Sequence, residues 1–161
     1  MYCFKRIFLT LLISGMFLPQ LATASQLFQP FIEKLKKEGC IIPTPPKAVA
    51  GFPSYTYTYT ISGEFAHVGQ EDLAVLCDMG NKRYIRIKWG GEFRCNSTIE
   101  ASLGDSIEAV GKPYILIHYE SYGGEVPPEI RHKGINDIFL GKASVVHYCH
   151  KSKWLELTGA D

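Results

Sequence analysis

Cys40, Cys77, Cys95 and Cys149 are the side chains with the widest chemistry open to them. A thiol can pair with another thiol, ligate a metal or attack a carbonyl carbon. Tetrahedral zinc sites usually show close pairs such as C-x2-4-C, whereas these cysteines stand 37, 18 and 54 residues apart. A catalytic thiolate needs an unpaired sulfur with a lowered pKa, and an even number of cysteines in an oxidising compartment pairs instead. Two disulfides are therefore expected, with no metal, no cofactor and no cysteine nucleophile. Four cysteines allow three connectivities, and spacing leaves all three open. His147 and Cys149, two apart on an expected strand, share a face, with His150 on the other.

Other residues point to binding rather than to a reaction. Arg131, His132 and Lys133 form a small cationic group, either a solvated loop or a docking surface for a carboxylate or acidic partner. Tyr55, Tyr57 and Tyr59 alternate with threonines, so their rings share one face, covering the core or presenting a surface for a glycan or protein. His118 sits in an apolar run and reads as a satisfied, partly buried side chain. The serine-hydrolase elbow G-x-S-x-G is absent, since neither Gly104-Asp105-Ser106-Ile107-Glu108 nor Ile13-Ser14-Gly15 matches it. No catalytic residue is assigned. The alternative is a hydrolase with a dispersed site that pairs His67 or His132 with Asp72 or Asp137. Asn96-Ser97-Thr98 has the form of a glycosylation sequon and reads as a turn after Cys95.

The segments that must position these residues begin with an export signal over 1–24. Lys5 and Arg6 precede an apolar run from Ile7 to Leu18, and Ala22-Thr23-Ala24 supplies the small residues of a cleavage site. The run is shorter than the ~20 residues that span a bilayer, and it has no cysteine at its end for lipidation. Cleavage after Ala24 leaves 137 of the 161 residues, enough for one domain with a real core. Seventeen Lys and Arg against sixteen Asp and Glu become a net charge of −1 once Lys5 and Arg6 are removed. Nothing in that balance favours nucleic acid or an anionic membrane.

Leu27, Phe28, Phe31, Ile32 and Leu35 recur at helical spacing, which predicts an amphipathic helix from Gln26 to Glu38 with Gly39 as its C-cap. Residues 25–53 form this helix and a stiff connector carrying Pro43, Pro45, Pro46 and Pro53. From residue 54 to 161 a β domain is expected. Its strands are Tyr55–Ile61, a hairpin of Leu73–Cys77 with Tyr84–Ile87 ended by Trp89-Gly90-Gly91, Tyr114–Tyr119, and a terminal hairpin of Ala143–His150 with Trp154–Leu157 around Lys151-Ser152-Lys153. The eighteen residues from Glu120 to Asp137 show no period and read as a long binding loop. Gly69-Gln70-Glu71-Asp72-Leu73 and Gly134-Ile135-Asn136-Asp137-Ile138 echo one another ahead of the two hairpins. The fold class is mainly β (or α+β): an antiparallel sheet of hairpins with one N-terminal helix.

Three stretches, Gly39-Cys40-Ile41-Ile42-Pro43, Gly63 to Cys77 and Gly134 to Asp161 with Lys142-Ala143-Ser144 and Trp154, resemble a family of exported bacterial proteins of unknown function. That resemblance implies a Cys40–Cys77 disulfide, which leaves Cys95–Cys149 as the second. Gly63 to Leu76 also resembles one FG-GAP-type repeat of calcium-binding propellers. Its loop, Glu64-Phe65-Ala66-His67-Val68-Gly69-Gln70, lacks the six to eight oxygens of a calcium site. A propeller also needs several four-stranded blades, so the likeness implies a blade-like hairpin without a propeller or bound calcium.

The reading that follows is an exported, non-enzymatic, disulfide-containing module that binds an envelope or extracellular protein or glycan. Its expected surfaces are the Glu120–Asp137 loop and the tyrosine strand. A narrower form of the same reading is a protein inhibitor of a hydrolase, acting through Gly123 to Pro128.

Overall fold

The computed structural model describes residues 24–45, 56–102, 104–121 and 126–158. The expected export signal before Ala24, Pro46, Pro53, Tyr55 and the Gly123-Gly124 part of the loop lie outside these residues.

Helix α1 runs Ala24–Lys37 and packs Phe31, Ile32 and Leu35 inward. Gly39, at φ +88, ends it in a Schellman arrangement: Cys40 N–H donates to the Leu35 carbonyl and Gly39 N–H to the Lys36 carbonyl. The accompanying apolar contact joins Leu35 to Cys40. The helix stop thereby delivers Cys40 to Cys77, with which it forms a disulfide.

Eight strands follow in two antiparallel sheets, each a meander in chain order. The first holds β1 (Thr60–Gly63), β2 (Asp72–Met79), β3 (Lys82–Lys88) and β4 (Thr98–Glu100). The second holds β5 (Ser106–Val110), β6 (Gly134–Phe139), β7 (Ala143–His150) and β8 (Lys153–Thr158). Helix α2 (Lys112–Ser121) interrupts the second meander between β5 and β6.

Alternation along the central strands sorts their side chains into layers. In β2, Ala74 and Leu76 meet Ile85, Ile87 and Ile99 and, from the second sheet, Ile107 and Ile135. Val75 and Cys77, on the opposite face, pack on α1. In β7, Val146 and Tyr148 face α2 with Val110, Ile115 and Leu157. The order is helix, sheet, sheet, helix, which explains why β2 and β7 carry nearly continuous buried runs.

Three expectations are corrected. The strand expected over Tyr55–Ile61 begins only at Thr60, so Tyr57 and Tyr59 precede β1; there the backbone of Thr58 bonds across to Ser106 and Ile107 of the second sheet. Tyr114–Tyr119 is helical, because Pro113 stands in the first turn of α2 and Ile115 N–H closes onto the Gly111 carbonyl. Its apolar run is too short for alternation alone to separate strand from buried helix. Ile115 and His118, three apart, are the buried pair. The Glu120–Asp137 loop is also shorter than expected, since α2 takes Glu120 and Ser121 and β6 begins at Gly134. Strands β4 and β5 went unanticipated.

The sheets are tied across their interface by the Cys95–Cys149 disulfide, between the β3–β4 loop and β7. Ile107 N–H also donates to the Thr58 carbonyl at 2.8 Å, and Trp154 Nε1 to the Asn96 carbonyl at 2.8 Å. Arg83 pairs with Asp78 and reaches the Gly104 carbonyl. Replacing Cys95 and Cys149 by alanine should cost about 2–5 kcal/mol and lower the melting temperature by several degrees. An unchanged melt of the double variant would remove this bridge from the account of stability.

Candidate functional site

Arg131 and His132 of the cationic group line a cavity of about 290 Å³ with Ala66, Glu129, Tyr148, Cys149, His150 and Lys151, while Lys133 faces a neighbouring cavity. Three contacts build it. Lys133 N–H donates to the Glu64 carbonyl at 2.8 Å, which docks the segment before β6 onto the β1–β2 loop. Arg131 N–H donates to the Tyr148 hydroxyl at 3.2 Å. The His132 ring stacks on Tyr148 with centroids 4.4 Å apart, while its Nδ1 bonds the Lys133 carbonyl at 3.0 Å. The Cys95–Cys149 bridge secures the floor.

Lys151 and Ser152 form the two-residue β7–β8 turn with φ of 48° and 63°. Both central residues are left-handed, the geometry of a type I′ turn that normally takes Asn-Gly. Such conformations cost about 1 kcal/mol or more at non-glycine residues and gather at functional sites. The strained turn sets Lys151 on the rim of the cavity. His150 and Lys151 make no side-chain hydrogen bond or ion pair with a described residue. Arg131 does: it holds Glu129, and that bond keeps the Glu129 carboxyl below the usual carboxylate range and raises the guanidinium. A carboxylate of the chain itself thus occupies the one forked donor of a cavity otherwise rimmed by bases.

A neighbouring cavity of about 390 Å³ is lined by Lys133, by Ser62 and Gly63 of β1, and by Glu64, Gly69 and Glu71 of the segment that joins β1 to β2. Asp72, the first residue of β2, turns inward. It is fully buried and accepts from Phe65 N–H at 3.0 Å, Gln70 Nε2 at 2.7 Å and Gly90 N–H at 2.9 Å. A Cβ on Gly90 would lie 2.0 Å from the Glu71 carbonyl, so only glycine brings that donor in. Among the described residues no three His, Cys, Asp or Glu side chains come together to hold a metal ion.

The remaining candidates are dispersed. Tyr59 is buried in the main core and Tyr57 packs against it half-buried, their rings 6.3 Å apart. Burial is the chief cause of the raised Tyr59 pKa. His67 bonds the adjacent Val68 carbonyl and stacks on Phe93. Asp137 is buried and accepts from Gly104 N–H at 2.6 Å. The hydrogen bonds of His67 and His132 go to backbone carbonyls, and those of Asp72 come from Phe65, Gln70 and Gly90.

His118, read from the sequence as a satisfied, partly buried side chain, joins Tyr114, Ser144 and Asn136 in a cluster on the α2 face of the second sheet. His118 Nε2 lies 3.0 Å from Ser144 Oγ, and its Nδ1 lies 3.0 Å from the Tyr114 carbonyl. The Tyr114 hydroxyl stands 3.4 Å from Ser144 Oγ and accepts from Asn136 Nδ2 at 3.1 Å, which also donates to Glu108 at 2.9 Å. His118 is buried, Ser144 half-buried and Tyr114 exposed. Only a helical reading of residues 112–121 would have put Tyr114 and His118 on one face, and nothing local marks Ser144 as their neighbour.

Comparison of the chain with protein-family models, curated proteins and solved structures returned no match.

His147 is the titratable group most displaced by its surroundings. It is 1% exposed between the sheets, and neither ring nitrogen has a hydrogen-bond partner. Burial lowers its pKa to about 4, and the Glu156 carboxylate at 3.9 Å is too exposed to offset that. The unfolded chain takes up this proton near pH 6.5 while the folded one stays neutral. Stability is therefore full above about pH 6.5 and falls as pH drops toward 4, by about 3 kcal/mol. A His147→Leu chain should be no less stable at neutral pH and should lose this part of the acid sensitivity. Equal losses in urea titrations of both chains would place the acid sensitivity elsewhere.

Proposed function

We propose that this chain is an exported binding module that captures an anionic group carried by an envelope or extracellular protein or glycan. The observation that carries this reading is the basic cavity, which Arg131, His132, His150 and Lys151 line together with Tyr148 beside a disulfide. Export is favoured by the two disulfides and by the basic, apolar and small-residue order of 1–24.

The chemistry suits a carboxylate or another compact oxyanion. Arg131 offers a planar fork and Lys151 a point charge. His132 keeps Nε2 for a ligand because Nδ1 is engaged. Capture proceeds by exchange, with the incoming anion displacing Glu129 from Arg131. Because the anion replaces an intramolecular carboxylate instead of water alone, affinity is modest and depends on salt. Tyr57 and Tyr59 contribute to the core under this reading, and the partner surface is the short segment before β6 together with the β7–β8 turn.

Affinity capture from envelope and secreted extracts, under non-reducing conditions, tests the proposal. Lys151→Ala should weaken recovery of the partner about tenfold or more, the scale of one lost hydrogen bond to a charged group. Glu129→Gln should strengthen it, because Arg131 is then released. Equal recovery by wild type, Lys151→Ala and Glu129→Gln would rule the cavity out as the binding site.

A further inference from the structure

The binding reading leaves the cluster on the α2 face without a role. From its geometry we infer that Ser144 and His118 form a nucleophile–base pair competent for acyl transfer from small carboxylic esters, at the opposite end of β7 from the basic cavity. The two sites lie about 20 Å apart along the strand, six residues at ~3.3 Å each. The inference goes beyond capture and does not depend on it.

Three features favour chemistry over a plain structural bond. The first is the tautomer. Nδ1 of His118 lies 3.0 Å from the Tyr114 carbonyl, which can only accept, so Nδ1 carries the proton and Nε2 presents its lone pair. That lone pair faces Ser144 Oγ at 3.0 Å, within the reach a general base requires. The second is placement. His118 stands in the last turn of α2, the helix end whose dipole favours positive charge, so the imidazolium formed in the reaction is stabilised without a carboxylate partner. The third is access. Ser144 is half-buried and Tyr114 is 36% exposed, so both residues reach the surface while the base stays buried.

The step balances with water as the only co-reactant. Ser144 Oγ forms a bond to the ester carbonyl carbon while its proton passes to His118 Nε2. The carbonyl π electrons move onto oxygen, giving a tetrahedral oxyanion. Tyr114 is placed to donate to that oxygen: its hydroxyl already accepts from Asn136, leaving its proton for the Ser144 side. Collapse breaks the carbon–oxygen bond to the alcohol, which leaves with the proton from His118. Water then attacks the acyl-serine, His118 takes the water proton and returns it to Ser144 Oγ, and the carboxylic acid departs. Nothing is oxidised or reduced. An ester fits this pair better than an amide, because a backbone carbonyl supports the imidazolium less than a carboxylate would, and an alkoxide needs less help to leave than an amine does.

A fluorophosphonate probe on the full chain gives a direct reading, since it phosphonylates a serine whose proton a base can take. The expected result is one adduct, mapped by mass spectrometry to Ser144, absent in Ser144→Ala and formed about 10²-fold more slowly in His118→Gln. Hydrolysis of p-nitrophenyl acetate should fall in the same order. Tyr114→Phe, at an exposed position, should slow both reactions about tenfold while the chain stays folded at the assay temperature, checked by circular dichroism, which keeps the test decisive if His118→Gln does not fold. Lys151→Ala should leave labelling unchanged, so loss of partner capture and loss of labelling separate the two sites. A folded wild-type chain that carries no adduct on Ser144, or one labelled at the same rate with and without the Tyr114 hydroxyl, overturns the inference.

Discussion

Everything in this domain depends on two small sheets burying their inner faces against each other. Neither could stand alone, since β1 has four residues and β4 three, and an isolated small sheet with one wet face is marginal in water. Packed together, Ala74, Leu76, Ile85 and Ile87 of one sheet share a core with Ile107 and Ile135 of the other. At ~25 cal/mol per Å² of apolar surface removed from water, that contact dominates the favourable side of folding. The Cys95–Cys149 bridge crosses this same boundary, and so limits how far the sheets can separate in the unfolded chain.

Burying so much sheet leaves polar groups that must be satisfied, and the chain does so unevenly. Asp72 answers three donors with one carboxylate, two of them backbone N–H groups that a turn would otherwise strand. Asp137, at the matching position of the sequence echo, receives Gly104 N–H in the second meander. The echo therefore marks one buried acid on the second strand of each sheet, a structural use of residues that could have been taken for catalysts. Among the described residues Trp89 Nε1, Asn136 Oδ1 and both ring nitrogens of His147 are buried and unanswered, and His147 makes the sheet interface sensitive to acid.

Strand β7 carries both sites. Its interior is buried on both faces, so its ends are where side chains meet solvent. At one end Tyr148 and the turn at Lys151 face the segment before β6. At the other, Ser144 meets α2. The hairpin Ala143–His150 with Trp154–Leu157 was legible from its apolar runs and its central polar turn, and Arg131 and His132 were legible as a charge cluster. Their meeting with His150 and Lys151 was not, because a cavity between two loops depends on how far apart the sheets sit. The Ser144–His118 contact was hidden twice over, by an apolar run short enough to pass for a strand and by a separation of twenty-six residues.

From its residues alone the chain determined what local physics controls. The α1 stripe and its Gly39 stop follow from periodicity and from the left-handed freedom of glycine, and the antiparallel hairpins follow from alternation and turn residues. The pairing of all four cysteines followed from their even number and the expected compartment. Tertiary structure decided what depends on faces meeting at a distance: the division of eight strands into two sheets, and the burial of Tyr59, Asp72, Asp137 and His147. It also turned Tyr114–Tyr119 into a helix, because that segment covers the outer face of the second sheet with Ile115 and His118, which no other described element does. Burial and side-chain proximity are properties of the packed chain, and in this protein every candidate site is defined by them.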